Sequence, residues 1–450
     1  MSDRPTIYAL SSGAGVAGVA VLRISGPGAR DALRVMTGNL PPPRTARRVR
    51  ISDPVDRRHL DDGLALYFPG PHSYSGEDVV ELHVHGGRAV VGAVLAALGR
   101  LPGFRLAEPG EFTRRAFLAG KLDLTEAEGL ADLIAAETEA QRRQALEVAG
   151  GALARLYGDW RHRLIAAMAL VEAGLDFADE ADVSEGTLAE ARPQVQGLLA
   201  EIHAHLDDGR RGEILREGLV VVLAGPPNAG KSSLLNALAR RDVAIVSPEP
   251  GTTRDIIEAR LDLGGFPVLV SDTAGLREGG GVGAVEQEGV RRALERASRA
   301  DLVLWLIDPL SPVIEPPAGL GASAKVIAVV GKADLVREVR GLGALPKAAH
   351  RVSCRTGDGL PGLIELLTAE ARARLQGAAA GAPTLIRHRQ RVLLEAAASS
   401  LARFISGDAV EAELRAEDLR SAATVLGRLT GRIDAEDVLD QVFGSFCIGK

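Results

Sequence analysis

Hydrophobic and polar positions along the 450-residue chain fall into three textures. From Thr6 to about Leu118, short apolar runs such as Ile7–Leu10 and Val19–Ile24 alternate with Gly and Pro clusters, and a helical repeat covers Ala89–Leu98. Short runs bounded by turn residues are strands, so this stretch predicts a compact α+β domain. After Lys121, Gly and Pro thin out. Leu153, Leu156, Trp160, Leu164, Met168 and Val171 then recur at helical spacing, and long helices are expected.

At Gly218 the pattern turns to β-branched runs, Val220–Leu223, Val268–Val270, Leu302–Ile307 and Val326–Val330, separated by helical stretches. That alternation predicts a parallel sheet covered by helices. The Ala/Leu/Arg-rich helical texture returns from about Leu385 to Gly427, as if the sheet domain were inserted between two halves of one helical domain. Such insertions are tolerated because domain termini usually lie close together. Pro309–Gly321 is a Pro/Gly-rich loop, and no internal repeat is visible.

Composition changes this picture only by exclusion. A 46% share of hydrophobic residues rules out disorder and supplies enough apolar surface for more than one core. The net charge of -6 offers no global attraction to nucleic acid, so an RNA contact would need a local basic patch or a basic partner. Cys354 and Cys447 cannot build a disulfide framework or, alone, a zinc cluster. Met1–Thr6 lacks signal-peptide character, and no apolar span is long enough for a membrane. A soluble, cytoplasmic protein is expected, with no membrane partner.

Leu219–Ala224 reads as a strand, Gly225-Pro-Pro-Asn-Ala-Gly230-Lys231-Ser232 follows at once, and Ser233–Arg240 reads as a helix. This is the context a phosphate-binding loop needs: backbone N–H groups of Asn228, Ala229, Gly230, Lys231, Ser232 and Ser233 turn toward phosphates at a helix N-terminus. Lys231 should reach the β- and γ-phosphates, and the Ser232 hydroxyl should ligate Mg²⁺. Thr252 and Thr253 lie about twenty residues on, where the Thr253 hydroxyl would close over the γ-phosphate and complete the Mg²⁺ shell. Asp272-Thr273-Ala274-Gly275 ends an apolar strand, placing a carboxylate near the metal and a glycine N–H near the γ-phosphate. Guanine selection requires a carboxylate that accepts from both N1–H and N2–H. Asp334, beside Lys332, is placed for this, and Ser353, Cys354 and Arg355 follow as a loop whose backbone N–H can meet the guanine O6. Taken together, these segments look like the five motifs of the translational GTPase superclass, with one departure. The guanine motif usually opens with Asn, and Gly331 stands there.

Outside the nucleotide motifs, Gly76-Glu-Asp-Val-Val-Glu-Leu82 with His85-Gly-Gly87, Pro109-Gly-Glu-Phe-Thr113, Arg115 through Leu124, Leu175-Asp-Phe177 and the terminal Cys447-Ile-Gly-Lys450 resemble the MnmE (TrmE) family of bacterial tRNA-modification GTPases over essentially the whole chain. The resemblance implies an α+β folate-binding and dimerising amino-terminal domain (1–118), an all-α helical domain in two parts (119–215 and 379–450) and an inserted Ras-like α/β P-loop GTPase domain (216–378). It places folate contacts on Arg23, Glu81, Lys121 and Lys450, for 5-formyltetrahydrofolate or methylenetetrahydrofolate. It implies K⁺ near Asn228, with Ser247, Glu249 and Thr252 as further ligands, and water orientation by Glu286 alongside Lys231 and Thr253. FAD is expected only on a flavoprotein partner, MnmG, in a heterotetramer acting on tRNA. Cys447 reads equally well as a catalytic or a merely tolerated thiol, and Ala119 stands where the family usually has Asn. A ribosome-assembly GTPase would need a basic KH-like segment with a GXXG loop, and a folate-binding scaffold would need a degraded nucleotide site; the sequence has neither feature.

Overall fold

A computed structural model describes residues 4–176, 181–208, 210–241, 243–245, 258–272, 300–317, 320, 324–338, 349–375, 384–406, 412–433, 439, 442–444, 446, 448 and 449. The chain divides into two compact units, Met1–Ala131 with Leu153–Ile165 and Arg420–Lys450, and Asp132–Ala152 with Ala166–Leu419.

The first unit is built on strands β1 (Thr6–Leu10), β2 (Ala17–Ser25), β3 (Arg47–Ser52), β4 (His59–Phe68), β5 (Val79–Gly86) and β6 (Phe104–Leu106), with helices α1 (Ala29–Thr37), α2 (Arg88–Leu98), α3 (Glu111–Leu118) and the larger part of α4 (Leu124–Ala135). The sheet runs β3-β4-β5-β2-β1-β6, antiparallel except for the β1–β6 pair. Strand alternation turns Leu22, Ile24, Ile51, Tyr67, Val80 and Leu82 to one face, where Leu33 and Met36 of α1 and Val94 and Leu98 of α2 close a dry core. A smaller cluster of Ile7, Ala9, Ala107 and Phe112 forms on the other side of β1. The carboxyl-terminal segment joins this unit. Leu439, Val442, Phe443 and Phe446 pack on Leu124 and Ala127, Ile448 bridges to Pro109, and Ser11 Oγ donates to the Gly449 carbonyl at 2.8 Å.

The second unit holds α5 (Glu139–Ala149), α7 (Ala181–Leu206), α8 (Arg211–Glu217), α9 (Lys231–Ala239) and helices Leu360–Leu375 and His388–Ser406; α6 (Ala152–Asp176) contributes residues to both units. Along α6 the interior positions are Leu153, Tyr157, Trp160, Leu164, Ala167 and Val171; of the expected repeat, Leu156 and Met168 are only half-buried, and their neighbours Tyr157 and Ala167 take the interior places. Strands β7 (Leu219–Ala224), β8 (Glu258–Leu263), β9 (Phe266–Asp272), β10 (Leu302–Ile307), β11 (Lys325–Val330) and β12 (His350–Arg351) form a second sheet, ordered β12-β11-β10-β7-β9-β8. Both faces are apolar: Val221, Leu223, Leu304 and Leu306 meet α9 and Leu360–Leu375, while Val222, Ala224, Val303 and Trp305 line a second core. Burial on both faces explains why these strands read as continuous apolar runs.

The four runs read as strands, β7, β9, β10 and β11, are parallel neighbours as expected, and β8, which was not among them, adds to the edge antiparallel to β9. Gly264 and Gly265 connect them with φ of 66° and 89°, the left-handed pair that a two-residue hairpin turn requires.

Candidate nucleotide and amino-terminal sites

The phosphate loop leaves the end of β7 in the centre of the sheet, where β9 and β10 flank it in parallel. Gly225 has φ 150°, and a Cβ there would stand 2.6 Å from the Leu306 carbonyl oxygen, so the turn off the strand demands glycine. Asn228 and Gly230 are both left-handed, at φ 63° and 98°, and α9 starts at Lys231. Lys231 is buried, and its Nζ donates to the carbonyls of Gly225 and Pro226 at 2.8 and 2.9 Å, curling the loop around the ammonium. Burial pushes the Lys231 pKa down, with the Asp272 carboxylate pulling the other way.

The register Leu223↔Asp272 carries the Asp272 carboxylate to the mouth of the loop, where Ser232 Oγ donates to Asp272 Oδ2 at 2.6 Å. A hydroxyl and a carboxylate side by side are hard oxygen donors of the kind Mg²⁺ takes when it also holds substrate phosphates. Ala229 is fully buried, whereas the Asn228 and Ser233 side chains are exposed.

On the same edge of the sheet, Asp334 lies in the first turn of the 3₁₀ helix Ala333–Glu338 after β11. It accepts from Ser353 Oγ at 2.7 Å and pairs with Arg355 Nε at 3.0 Å. The Ser353 hydroxyl, aided by Arg355, holds its carboxyl below the usual range, keeping it an ionised acceptor. Val352 N–H donates to the Val330 carbonyl of β11, and the Val352 carbonyl accepts from the Ala333 N–H, which fixes the Ser353–Arg355 loop beside Asp334. Cys354 is half-buried, and burial raises its thiol pKa, so it stays a neutral thiol. The sequence reading missed one residue of this site, Asp308 at the end of β10, whose Oδ2 accepts from Lys332 Nζ at 2.7 Å. Its signal was its place: an aspartate directly after a buried strand of a phosphate-loop domain. Gly331 lies against the loop, with a hypothetical Cβ 3.1 Å from the Ala229 carbonyl, so asparagine there would need only a small shift.

In the first unit, Arg23 on β2 and Glu81 on β5 are register partners and pair at 2.9 Å. The Arg23 guanidinium also lies 5.5 Å from the Tyr74 ring centroid and 5.8 Å from that of Phe112. A cation beside aromatic faces, with a carboxylate next to it, suits a ligand that has both an aromatic plane and acidic groups. Lys121 is exposed, and its Cε would lie 3.7 Å from a Cβ added to Gly76. Arg115, by contrast, is buried between Glu77 and Glu111 at 2.8 and 3.0 Å, which makes the motif around it a structural lock. Ser247, Glu249, Thr252, Thr253, Thr273, Ala274, Gly275, Glu286, Cys447 and Lys450 lie outside the described residues.

A strand-loop-helix phosphate cradle, a hydroxyl–carboxylate pair at its mouth and a braced acidic acceptor on the neighbouring loop define a P-loop GTPase. The sequence pattern described as "MnmE helical domain" matches residues 124–447, and that described as "GTP-binding protein TrmE N-terminus" matches residues 6–121. The tRNA modification GTPase MnmE of Parvibaculum lavamentivorans is 55% identical over 448 residues, 99% of this chain and 100% of that protein. That of Paramagnetospirillum magneticum is 51% identical over 447 residues, 99% of each chain. Among solved structures, the G domain of the T. maritima FeoB iron transporter is 26% identical and covers 34% of this chain and 98% of that one, with a TM-score of 0.23. The chain belongs to the MnmE (TrmE) family.

Proposed function

We propose that this protein hydrolyses GTP to drive a conformational cycle in a tRNA-modifying complex. With a flavoprotein partner, MnmG, it adds a carboxymethylaminomethyl or aminomethyl group to C5 of the wobble uridine of certain tRNAs. The reading rests above all on the 2.6 Å Ser232–Asp272 contact at the mouth of the loop, with Asp334 held ionised nearby.

In this reading, Lys231 exchanges the Gly225 and Pro226 carbonyls for the β- and γ-phosphate oxygens, and the freed loop amides wrap the same phosphates. Ser232 and Thr253 would hold Mg²⁺, with the Asp272 carboxylate close by, and the ion would supply positive charge to the phosphate oxygens. Asp334 accepts from the guanine base. By family likeness, Asn228, Ser247, Glu249 and Thr252 hold K⁺, and Glu286 orients the attacking water. Thr273, Ala274 and Gly275 would contact the γ-phosphate, and loss of those contacts on hydrolysis would drive the G-domain rearrangement.

The amino-terminal segment 1–118 dimerises and holds the one-carbon donor, 5-formyltetrahydrofolate or methylenetetrahydrofolate, through Arg23, Glu81, Lys121 and Lys450. Residues 119–215 and 379–450 form the helical domain around the GTPase domain 216–378. No helix among the described residues is long and apolar enough to cross a membrane, and the cytoplasm is the proposed location.

Two experiments test the reading. GTP turnover should be faster in KCl than in NaCl, and equal rates would remove the potassium-activated mechanism. Mass spectrometry of wobble nucleosides from cells lacking the protein should show loss of the C5 substituent, and an unchanged nucleoside profile would remove the tRNA role.

A further inference from the structure

The chain is acidic overall, yet residues 44–58 carry six arginines, Arg44, Arg47, Arg48, Arg50, Arg57 and Arg58, against two aspartates and no lysine. One aspartate is already committed. Asp53 is buried, accepts from Arg100 at 2.8 Å and caps its own loop through the Val55 N–H. All six arginines are exposed.

Their setting is a sheet edge. β3 is the outermost strand, paired only with β4, and its Val49 and Ile51 face the core while Arg48 and Arg50 share the opposite face. Alternate residues on a strand stand roughly 6.6 Å apart, which spreads the positive groups along a line. Arg50 is in register with Asp62, but Asp62 pairs with His59 at 3.4 Å. Elsewhere in this unit Arg23, Arg100, Arg105 and Arg115 each meet a carboxylate. Arg47, Arg48 and Arg50 have no carboxylate within 4.0 Å among the described residues.

We propose that the β3 edge, through Arg47, Arg48 and Arg50, is a surface for the phosphate backbone of RNA. Guanidinium forks match phosphate oxygens in pairs, which favours arginine over lysine at such a surface. The unpaired outer edge of a strand also presents main-chain N–H groups, which donate to phosphates as side chains do. This is the local basic patch that an acidic protein needs in order to touch a polyanion. Charges on an edge strand also discourage edge-to-edge aggregation, and the test separates that role from binding.

The proposal rests on the tRNA reading above for its probe, and binding is measured apart from modification. Full-length protein is titrated with bulk tRNA from about 50 to 200 mM KCl. R47Q/R48Q/R50Q should bind at least about tenfold more weakly and lower the slope of log K against log salt by about 2 to 3. Arg48→Gln or Arg50→Gln alone should lower it by about 1, which keeps the test open if the triple variant misfolds. R47K/R48K/R50K should keep the slope, and GTP turnover should match wild type throughout. Unchanged affinity and slope in the Gln variants would overturn the proposal, as would wild-type protein that ignores tRNA or prefers vesicles of anionic lipid. Aggregation of the Gln variants with undiminished tRNA binding by the soluble fraction would assign the arginines to edge protection. If the wobble nucleosides still change on deletion, such a failure leaves the function reading standing.

Discussion

Replacing Gly225 by alanine isolates the geometry of the phosphate loop from its charge. The added methyl would lie 2.6 Å from the Leu306 carbonyl oxygen and 3.2 Å from the Leu306 Cβ, on a backbone at φ 150°. Leu306 is buried in β10 and cannot retreat freely. Holding a non-glycine residue in such a conformation costs about 1–3 kcal/mol. Overpacking a tight site costs about 1–3 kcal/mol more. If the sum of about 4 kcal/mol falls on the loop that binds nucleotide, affinity drops about a thousandfold at 1.4 kcal/mol per decade. Gly331→Ala is the matched control. Its Cβ would meet the Ala229 carbonyl at 3.1 Å on an ordinary backbone, so the change should cost less than about 1 kcal/mol, under tenfold. Equilibrium titration with a fluorescent GDP analogue measures both, and circular dichroism melts show whether each variant is folded. A Gly225→Ala protein that binds within threefold of wild type, or a Gly331→Ala protein that is the weaker of the two, would refute the reasoning.

Asp334→Asn replaces an ionised double acceptor by an amide, removing charge-assisted bonds worth about 1.5–3 kcal/mol each, so GTP affinity should fall at least about a hundredfold. Xanthosine triphosphate, whose C2 carbonyl accepts from the new amide, should gain, and a competition assay that still favours GTP would count against Asp334 as the base reader. Ser232→Ala should retain nucleotide diphosphate while GTP turnover falls at least about tenfold and loses its dependence on Mg²⁺; a magnesium titration checks this. His205 has its pKa pushed down to about 4 by burial, against 6.5 when unfolded. The unfolded chain therefore binds the extra proton first, and stability falls as pH drops from about 6.5 toward 4. His205→Gln should flatten that part of the melting-temperature profile, and an unchanged slope between these pH values would show that other groups set it.

How much was legible in the sequence follows how local each feature is. The loop Gly225–Ser232 and the run Ala89–Leu98 depend on near neighbours, and both were readable without a fold. The β8–β9 hairpin was missed although Gly264-Gly265 is its turn signal, because Glu258–Leu263 alternates polar and apolar residues and does not resemble the continuous apolar runs of the other strands. The Ser232–Asp272 contact joins residues 40 apart and exists only because β7 and β9 are neighbours in register, so the motifs implied it and only the fold supplied its distance. Arg23 and Glu81, 58 residues apart, entered through family likeness. Nothing local to either residue announces a cross-strand pair under Tyr74 and Phe112. Asp132, which accepts from Arg216 at 3.0 Å and Arg387 at 2.8 Å, joins three distant segments and carried no sequence signal at all.

The central claim is that the cradle between β7 and α9 holds a guanine nucleotide in order to cleave it. Calorimetric titration of the purified chain with GTP and then with ATP, in Mg²⁺ and K⁺, tests it most directly. One GTP per chain, followed by release of phosphate, with no measurable heat from ATP, is the predicted result. Absence of GTP binding, or equal binding of ATP, would contradict it.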